Sequence, residues 1–206
     1  LLTHKDNHKI RRYVGVGAPF KGAWVMGVDR GIRSIPVLGK RLESLIADSA
    51  LSIYNSGRTN RLSKDSQAST QVTPNSDFLE GSNGINRTRI SNLEFYSIYG
   101  NINTTLRQKV FNKTLESKFD IGDGIILSES ATYSDWVNFN SKKFAYNGGM
   151  IMDLKFGRQN GTLAMELQVS DPSSVKTLHT DLLSRQDSRS KIICLISQDE
   201  ANKCYD

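Results

Sequence analysis

The sequence Arg-Arg-Tyr-Val-Gly-Val-Gly-Ala-Pro occupies residues 11–19 and sets the expected fold class. Its middle is a short run of aromatic and β-branched residues that Gly17 and Pro19 end, which is typical of a buried strand closing in a tight turn. The preceding residues 1–10 are expected to be the end of a helix and a connection. A helix that leads into a short apolar strand indicates a parallel α/β sheet.

Length and charge narrow the classes of protein to consider. The chain has 206 residues and a formal net charge of +6 at pH 7. No apolar run approaches the roughly 20 residues that a membrane-spanning helix needs. Basic side chains are spread along the chain without a zinc-finger spacing or an RNA-binding signature, so we expect no nucleic-acid partner. The charge favours a solvated basic surface or contact with an anionic membrane.

Two cysteines and several glycosylation sequons bear on the compartment. Cys194 and Cys204 belong to no CxxC pair or histidine cluster, so we expect no metal site and no cofactor. A disulfide that fixes the C-terminal tail and a pair of free thiols are both compatible with the sequence. The four Asn-x-Ser/Thr sequons begin at Asn86, Asn103, Asn112 and Asn160. Together these features weakly favour an extracellular or cell-surface location.

The rest of the chain predicts both helices and strands. Apolar residues at helical spacing predict a helix over 40–54, and a polar stretch predicts a loop over 57–72. Alternating runs on both sides of Asn160-Gly161 predict a β-hairpin over 143–170. The other expected elements are a turn and short helix at 73–79, a strand at 93–99 that ends at Gly100-Asn101, a loop at 120–124 and an apolar helix at about 180–197.

Five segments in collinear order resemble α/β-hydrolase lipases and the related lecithin-cholesterol acyltransferase family. Residues 14–22, Val-Gly-Val-Gly-Ala-Pro-Phe-Lys-Gly, are similar to the strand and turn that follow the nucleophile helix of these lipases. Gly122-Asp123-Gly124-Ile125-Ile126 resembles their acid loop, and Leu178-His179-Thr180-Asp181-Leu182-Leu183 resembles their histidine loop. Residues 73–79 and 95–100 are similar to the turn that leaves the cap and to the next sheet strand.

The resemblance implies the C-terminal part of an α/β-hydrolase-type three-layer fold. Residues 1–206 would be part of one such domain, with a cap or lid inserted at about 23–90 and a further insertion at about 132–160 that includes the first hairpin strand. The family's nucleophile elbow, Gly-x-Ser-x-Gly, does not occur in the sequence. We therefore expect the serine on an upstream segment or a separate chain, and no activity from this chain alone.

Asp123 and His179 are the expected catalytic pair. A serine hydroxyl is a poor nucleophile until an imidazole accepts its proton, and the imidazole needs a carboxylate to fix its tautomer. Asp123 precedes His179, as the acid precedes the histidine in α/β-hydrolases. The alternatives are an ordinary Gly-Asp-Gly turn, a surface or helix-capping His179, and Asp120 as a rival acid. Asp181 is expected to cap the last helix, where a carboxylate suits the helix dipole.

The implied activity is hydrolysis of lipid-like carboxylic esters, or acyl transfer on the same fold. Phe20, Trp24 and Met26 are expected to contact the substrate. Trp24 and Met26 belong to the expected lid, whose apolar and basic residues suit a lipid–water interface. The expected partners are the serine-bearing segment, the ester and a lipid surface. The alternative is a non-catalytic α/β-hydrolase-like interaction domain. A β-rich surface-binding module would explain the hairpin but not the segments at 14–22 and 178–183.

Overall fold

The computed structural model describes residues 11–26, 45–48, 51–52, 55, 63, 66–80, 94–132, 141–171, 179, 181–197 and 201–204. Its strands are β1 (Arg12–Val16), β2 (Glu94–Val110), β3 (Lys113–Asp120), β4 (Ser141–Gln159) and β5 (Thr162–Asp171). Its helices are α1 (Gln67–Gln71), α2 (Asp77–Glu80), α3 (Ser128–Ala131), α4 (Asp181–Ser184) and α5 (Gln186–Ser197), with 3-10 turns at Trp24–Met26 and Ala201–Cys204. Residues 45–48 and 51–52 are also helical, as expected, and so is residue 55, just beyond the predicted helix. Residues 1–10 lie outside the described part.

All five strands form one mixed sheet, so the chain has a mixed α/β fold. β1, β2 and β4 lie side by side in parallel, whereas β3 pairs antiparallel with β2 and β5 pairs antiparallel with β4. β1 and β3 share one edge of β2, β1 along residues 94–98 and β3 along residues 103–110. β2 and β4 pair in parallel along most of their length, and the later part of each is also the first arm of a hairpin with β3 or β5.

Described elements cover both faces of the parallel part, as a parallel sheet requires. On one face Val14 and Tyr96 pack with Leu195 of α5. On the other face Phe95 packs edge-to-face against Phe20, with 5.3 Å between the ring centroids. Because neighbouring residues of a strand point to opposite faces, the alternation of Phe95 and Tyr96 places one ring in each layer.

Arg12 ties β1 to β2 and to α5. Its guanidinium forms an ion pair with Glu94, and its Nη1 donates a hydrogen bond to the Leu195 carbonyl at 3.0 Å. Partial burial acts to raise the pKa of Glu94, but the hydrogen bond and charge of Arg12, the hydrogen bond of Tyr96 and the charge of Arg11 together hold that pKa below its ordinary value. The start of the parallel sheet is thus fixed by a charged contact.

The two hairpins form an amphipathic layer beyond the parallel strands. On its polar face Arg107 donates two hydrogen bonds to Asp153, at 2.8 and 3.0 Å. Its apolar face is buried against side chains of the expected cap, Trp24, Val25 and Ile46. The members that the hairpins contribute to this core are Ile102, Leu106, Phe119, Met150, Met152 and Leu154, with Met165, Leu167 and Val169 at its margin.

The local predictions for β1 and the hairpin are confirmed. β1 ends at Val16, and Gly17 adopts a left-handed conformation with φ +54°. The turn between β4 and β5 is formed by Asn160 and Gly161, with φ of 51° and 79°. Positive φ at both central residues is the geometry that suits the right-handed twist of the flanking strands, and Asn-Gly adopts it at low cost.

Two predicted boundaries are wrong. β2 does not end at Gly100-Asn101, because both residues pair with β4 and the Asn101 side chain donates to Asn147 Oδ1 at 3.2 Å. The expected loop at 57–72 contains α1, which begins where the Ser66 side chain accepts a hydrogen bond from the Ser69 amide at 3.2 Å. Such a serine cap satisfies an amide that has no partner within the helix.

Two positions of the expected cap, Ala23 at its start and Val72, lie side by side, while its expected end at about residue 90 lies outside the described residues. The Ala23 amide donates to the Val72 carbonyl at 2.7 Å. Gly22 lies so close to the chain at Pro74 that an added Cβ would come within 2.6 Å of its nitrogen. The chain therefore leaves the core after Gly22 and returns at Val72, and the short helix expected after this return is confirmed as α2. Among the described residues, no helix is long and apolar enough to cross a bilayer.

The C-terminal helix is confirmed with a break at Arg185, which separates α4 from α5. The structure resolves the alternative left open for the cysteines, because Cys194 of α5 and Cys204 form a disulfide. Cys204 is buried beside Tyr96, so the crosslink holds the C-terminal turn against the sheet.

Removal of this disulfide should cost stability but not the fold of the sheet. Closing a loop of this length restricts the unfolded chain by about 2–3 kcal/mol. We expect Cys194→Ser to lower the free energy of unfolding by that amount in a urea titration. The neighbouring Ile193→Ser, at an exposed position, is the matched control. A wild-type protein whose unfolding curve is unchanged by a reductant would contradict the prediction.

Candidate active site

The expected site residues meet in a gap along the edge of β2. The Gly17 amide, just after β1, donates to the Ile98 carbonyl at 2.8 Å. The Ile102 amide donates to the Gly122 carbonyl at 2.7 Å, just after β3. The gap thus lies between the end of β1 and the end of β3, at the edge where the parallel strand β1 ends while β2 continues. Crevices at this edge are where open α/β sheets bind their ligands.

The Gly-Asp-Gly sequence is required by the backbone of the acid loop. Gly122 and Gly124 have φ of 61° and 91°, in the left-handed region that favours glycine. A Cβ on Gly122 would lie 1.8 Å from the Ile126 carbonyl oxygen, so no other residue fits there. The rival acid Asp120 serves the same turn, because its Oδ1 accepts a hydrogen bond from the Gly122 amide at 2.6 Å.

Asp123 is held at the centre of this loop with its carboxylate inside the protein. It is 1% exposed. Its Oδ1 accepts hydrogen bonds from the amides of Ile125, at 3.0 Å, and Ile126, at 2.8 Å. These two donors fix the orientation of the carboxylate and direct Oδ2 toward His179. A buried carboxylate held by backbone amides is a preorganised hydrogen-bond acceptor.

His179 contacts Asp123 through both its side chain and its backbone. The distance from His179 Nδ1 to Asp123 Oδ2 is 2.7 Å, and the His179 amide donates to the Asp123 carbonyl at 2.9 Å. With the carboxylate as acceptor, Nδ1 carries the proton and Nε2 is the basic nitrogen of the neutral ring. The side chain is 28% exposed, so the ring reaches the surface while its partner does not.

Gly17 closes the site from the side of β1, whereas its position in the sequence predicts only that it ends a strand. A Cβ at this position would lie 2.7 Å from His179 Nδ1 and 2.9 Å from Asp123 Oδ2. The backbone therefore passes directly against the hydrogen bond of the pair. A glycine after a predicted strand, in the same chain as a candidate acid and histidine, is the signal that could have identified this contact.

The three expected substrate-binding residues are buried or packed against the core. Phe20 and Trp24 are buried, and Met26 is partly buried against the same cluster as Trp24. The described contacts of Phe20 are with the rings of Tyr13 and Phe95. Their role in substrate binding stays a prediction, while the packing gives Phe20 and Trp24 a structural role.

The chemistry of the site rests on the acid–histidine pair. Among the described residues, no three histidine, cysteine or acidic side chains converge as a metal site would require. A buried carboxylate that orients a partly exposed imidazole can move a proton to and from a nucleophile placed beside Nε2. Comparison with protein-family models, curated proteins and solved structures found no match to this chain.

Proposed function

We propose that the chain supplies the acid and the histidine of a Ser-Asp-His triad that hydrolyses lipid-like carboxylic esters. The observation that carries the proposal is the 2.7 Å contact between His179 Nδ1 and buried Asp123 Oδ2. An orienting carboxylate, an imidazole that is partly exposed and the chain order acid before histidine are features of such triads.

The proposed chemistry uses His179 first as a base and then as an acid. Nε2 accepts the hydroxyl proton as the serine oxygen attacks the ester carbonyl, and Asp123 stabilises the imidazolium that forms. His179 then returns the proton to the leaving alcohol, which departs as the acyl-enzyme forms. Water, activated by the same nitrogen, releases the acid. Release to an alcohol instead of water would make the enzyme an acyltransferase.

The serine would lie on a segment outside the 206 residues. The sequence contains no Gly-x-Ser-x-Gly. A parallel strand added beside β1 would end at the same sheet edge as Gly17, and the turn after it would bring a serine to the exposed side of His179. This arrangement would complete an α/β-hydrolase-type three-layer fold. The parallel strands β1, β2 and β4 are adjacent in this order. Asp123 follows the hairpin of β2 and β3, and His179 follows the hairpin of β4 and β5. This arrangement supports that architecture.

The proposal extends to partners and compartment. The partners are the serine-bearing segment and an ester with a lipid-like acyl chain. An extracellular or cell-surface location is supported by the Cys194–Cys204 disulfide, because such bonds persist mainly in oxidising compartments.

Labelling with a fluorophosphonate tests the proposal on the gene product that includes the residues before Leu1. The probe reacts with an activated serine, so we expect labelling in the wild type, loss in His179→Ala and retention in His4→Ala. Labelling that does not depend on His179 would refute the triad. Absence of a Gly-x-Ser-x-Gly from the upstream coding sequence would favour the non-catalytic interaction domain.

A further inference from the structure

The two hairpins project from the sheet edge that holds the candidate active site. Ile102 lies beside the acid loop, and β2 continues from there to its turn after Val110. At ~3.3 Å per residue this turn lies about 25 Å beyond the site. Because β2 and β4 are parallel, both hairpins point the same way. We call residues 109–115 and 155–163 the hairpin tips.

Large apolar side chains are exposed at the hairpin tips. Phe111, in the turn after β2, is 98% exposed, while Leu115 is 54% exposed and Phe156 is 43% exposed. The strand register places Leu115 and Phe156 on the layer's apolar face, beyond its buried part. In the expected cap, the described residues Trp24 and Val25 are buried, whereas Phe78 is 46% exposed. The hairpin tips thus hold three of the seven large apolar side chains that are exposed in the described part of the chain, including the most exposed of them.

The hairpin tips are also positively charged. They contain four basic residues and no acidic residue. Lys109 and Lys113 lie two residues before and after Phe111, on the two arms of one hairpin. The aliphatic part of a lysine can follow an aromatic ring into an interface while its ammonium group stays in water. The remaining basic residues of the tips are Lys155 and Arg158.

We propose that the hairpin tips bind an anionic lipid surface. A wholly exposed phenylalanine between lysines matches the chemistry of an interfacial anchor, in which the ring enters the boundary of headgroups and acyl chains and the lysines contact acidic headgroups. Docking by the tips would turn the edge that carries Asp123 and His179 toward the lipid. The purpose of this surface rests on the proposed function, but binding itself requires no hydrolysis.

Flotation with vesicles of ether-linked lipids tests the surface without any turnover. We expect the chain to bind phosphatidylcholine vesicles containing about one-third phosphatidylserine, and to bind pure phosphatidylcholine weakly. Phe111→Ser should weaken binding about tenfold or more, since it removes the burial of a whole ring. Lys113→Ala should weaken it about fivefold. Ile196→Ser, on α5 at a position that is 67% exposed, is the matched control and should bind as the wild type does.

Several results would overturn the inference. These are absence of wild-type binding, equal binding to vesicles with and without phosphatidylserine, and equal loss in Phe111→Ser and Ile196→Ser. His179→Ala should bind as the wild type does, so failure of the triad and failure of the surface give different results. The sequons at Asn112 and Asn160 lie in these turns. A glycan on either asparagine of the protein from its source, detected by intact mass, would keep the tips in water and would also refute binding.

Discussion

Asparagine in place of Asp123 should leave the chain folded and remove nearly all activity of the proposed serine hydrolase. Its Oδ1 can still accept from the Ile125 and Ile126 amides, because the two side chains have the same shape. Its amide group would then donate to His179 Nδ1, which forces the ring proton onto Nε2. That tautomer cannot accept the serine proton, and an equivalent change in a triad lowers kcat by about 10⁴.

The kinetics of an aryl ester separate this effect from misfolding. We expect kcat to fall while KM and the urea unfolding midpoint change little. Asp120→Asn is the matched control, because Asp120 lies in the same loop and accepts only a turn hydrogen bond from Gly122 among its described contacts. Its kcat should stay within about tenfold of wild type. A full rate in Asp123→Asn, or a larger loss in Asp120→Asn, would assign the acid role elsewhere.

Alanine in place of Gly17 should push Asp123 and His179 apart although neither of these two residues is substituted. The new Cβ would lie 2.7 Å from His179 Nδ1, 2.8 Å from its Cε1 and 2.9 Å from Asp123 Oδ2, closer than carbon atoms approach such groups. The φ of +54° adds backbone strain of about 1–2 kcal/mol for a residue with a Cβ. Because a displacement of about 1 Å at a catalytic group can cost a hundredfold, we expect at least that loss in kcat.

Gly157→Ala is the control for this experiment. Gly157 lies on β4, and a Cβ there would meet no atom within 4 Å. It should unfold and react as the wild type does, whereas Gly17→Ala should lose both stability and rate. The hydrogen-bonded Nδ1 proton of His179 in a one-dimensional proton spectrum would report the contact directly. A Gly17→Ala protein that keeps this resonance and its full rate would show that the backbone there can move away.

The parts of the site that could be predicted are those that local backbone geometry demands. Gly122 and Gly124 flank Asp123 because the backbone of the loop is left-handed on both sides of it. The sequence Gly-Asp-Gly indicates this conformation. The Asn160-Gly161 turn is encoded in the same way. The partnership of Asp123 with His179 spans a long stretch of chain, and it was predicted only from their order within a family resemblance.

The remaining features depend on contacts between distant segments. Gly100-Asn101 would end an isolated strand, but β4 supplies partners that keep β2 extended through it. Trp24 suits a lipid interface by composition, yet the hairpin layer covers it. The exposure of Phe111 could not be predicted, because nothing in the sequence distinguishes an exposed phenylalanine in a turn from a buried one. Burial is decided by the assembled sheet and not by the residue type.

The hydrogen bond between Ala23 and Val72 brings these two residues together, and none of the described strands lies between them, so a short linker could join the two positions without breaking a described strand pair. The excursion is therefore detachable in topology. It is not detachable in energy, because Trp24, Val25 and Ile46 would leave with it and the apolar face of the hairpins would meet water. The loss of such an excursion is therefore opposed by these inward side chains.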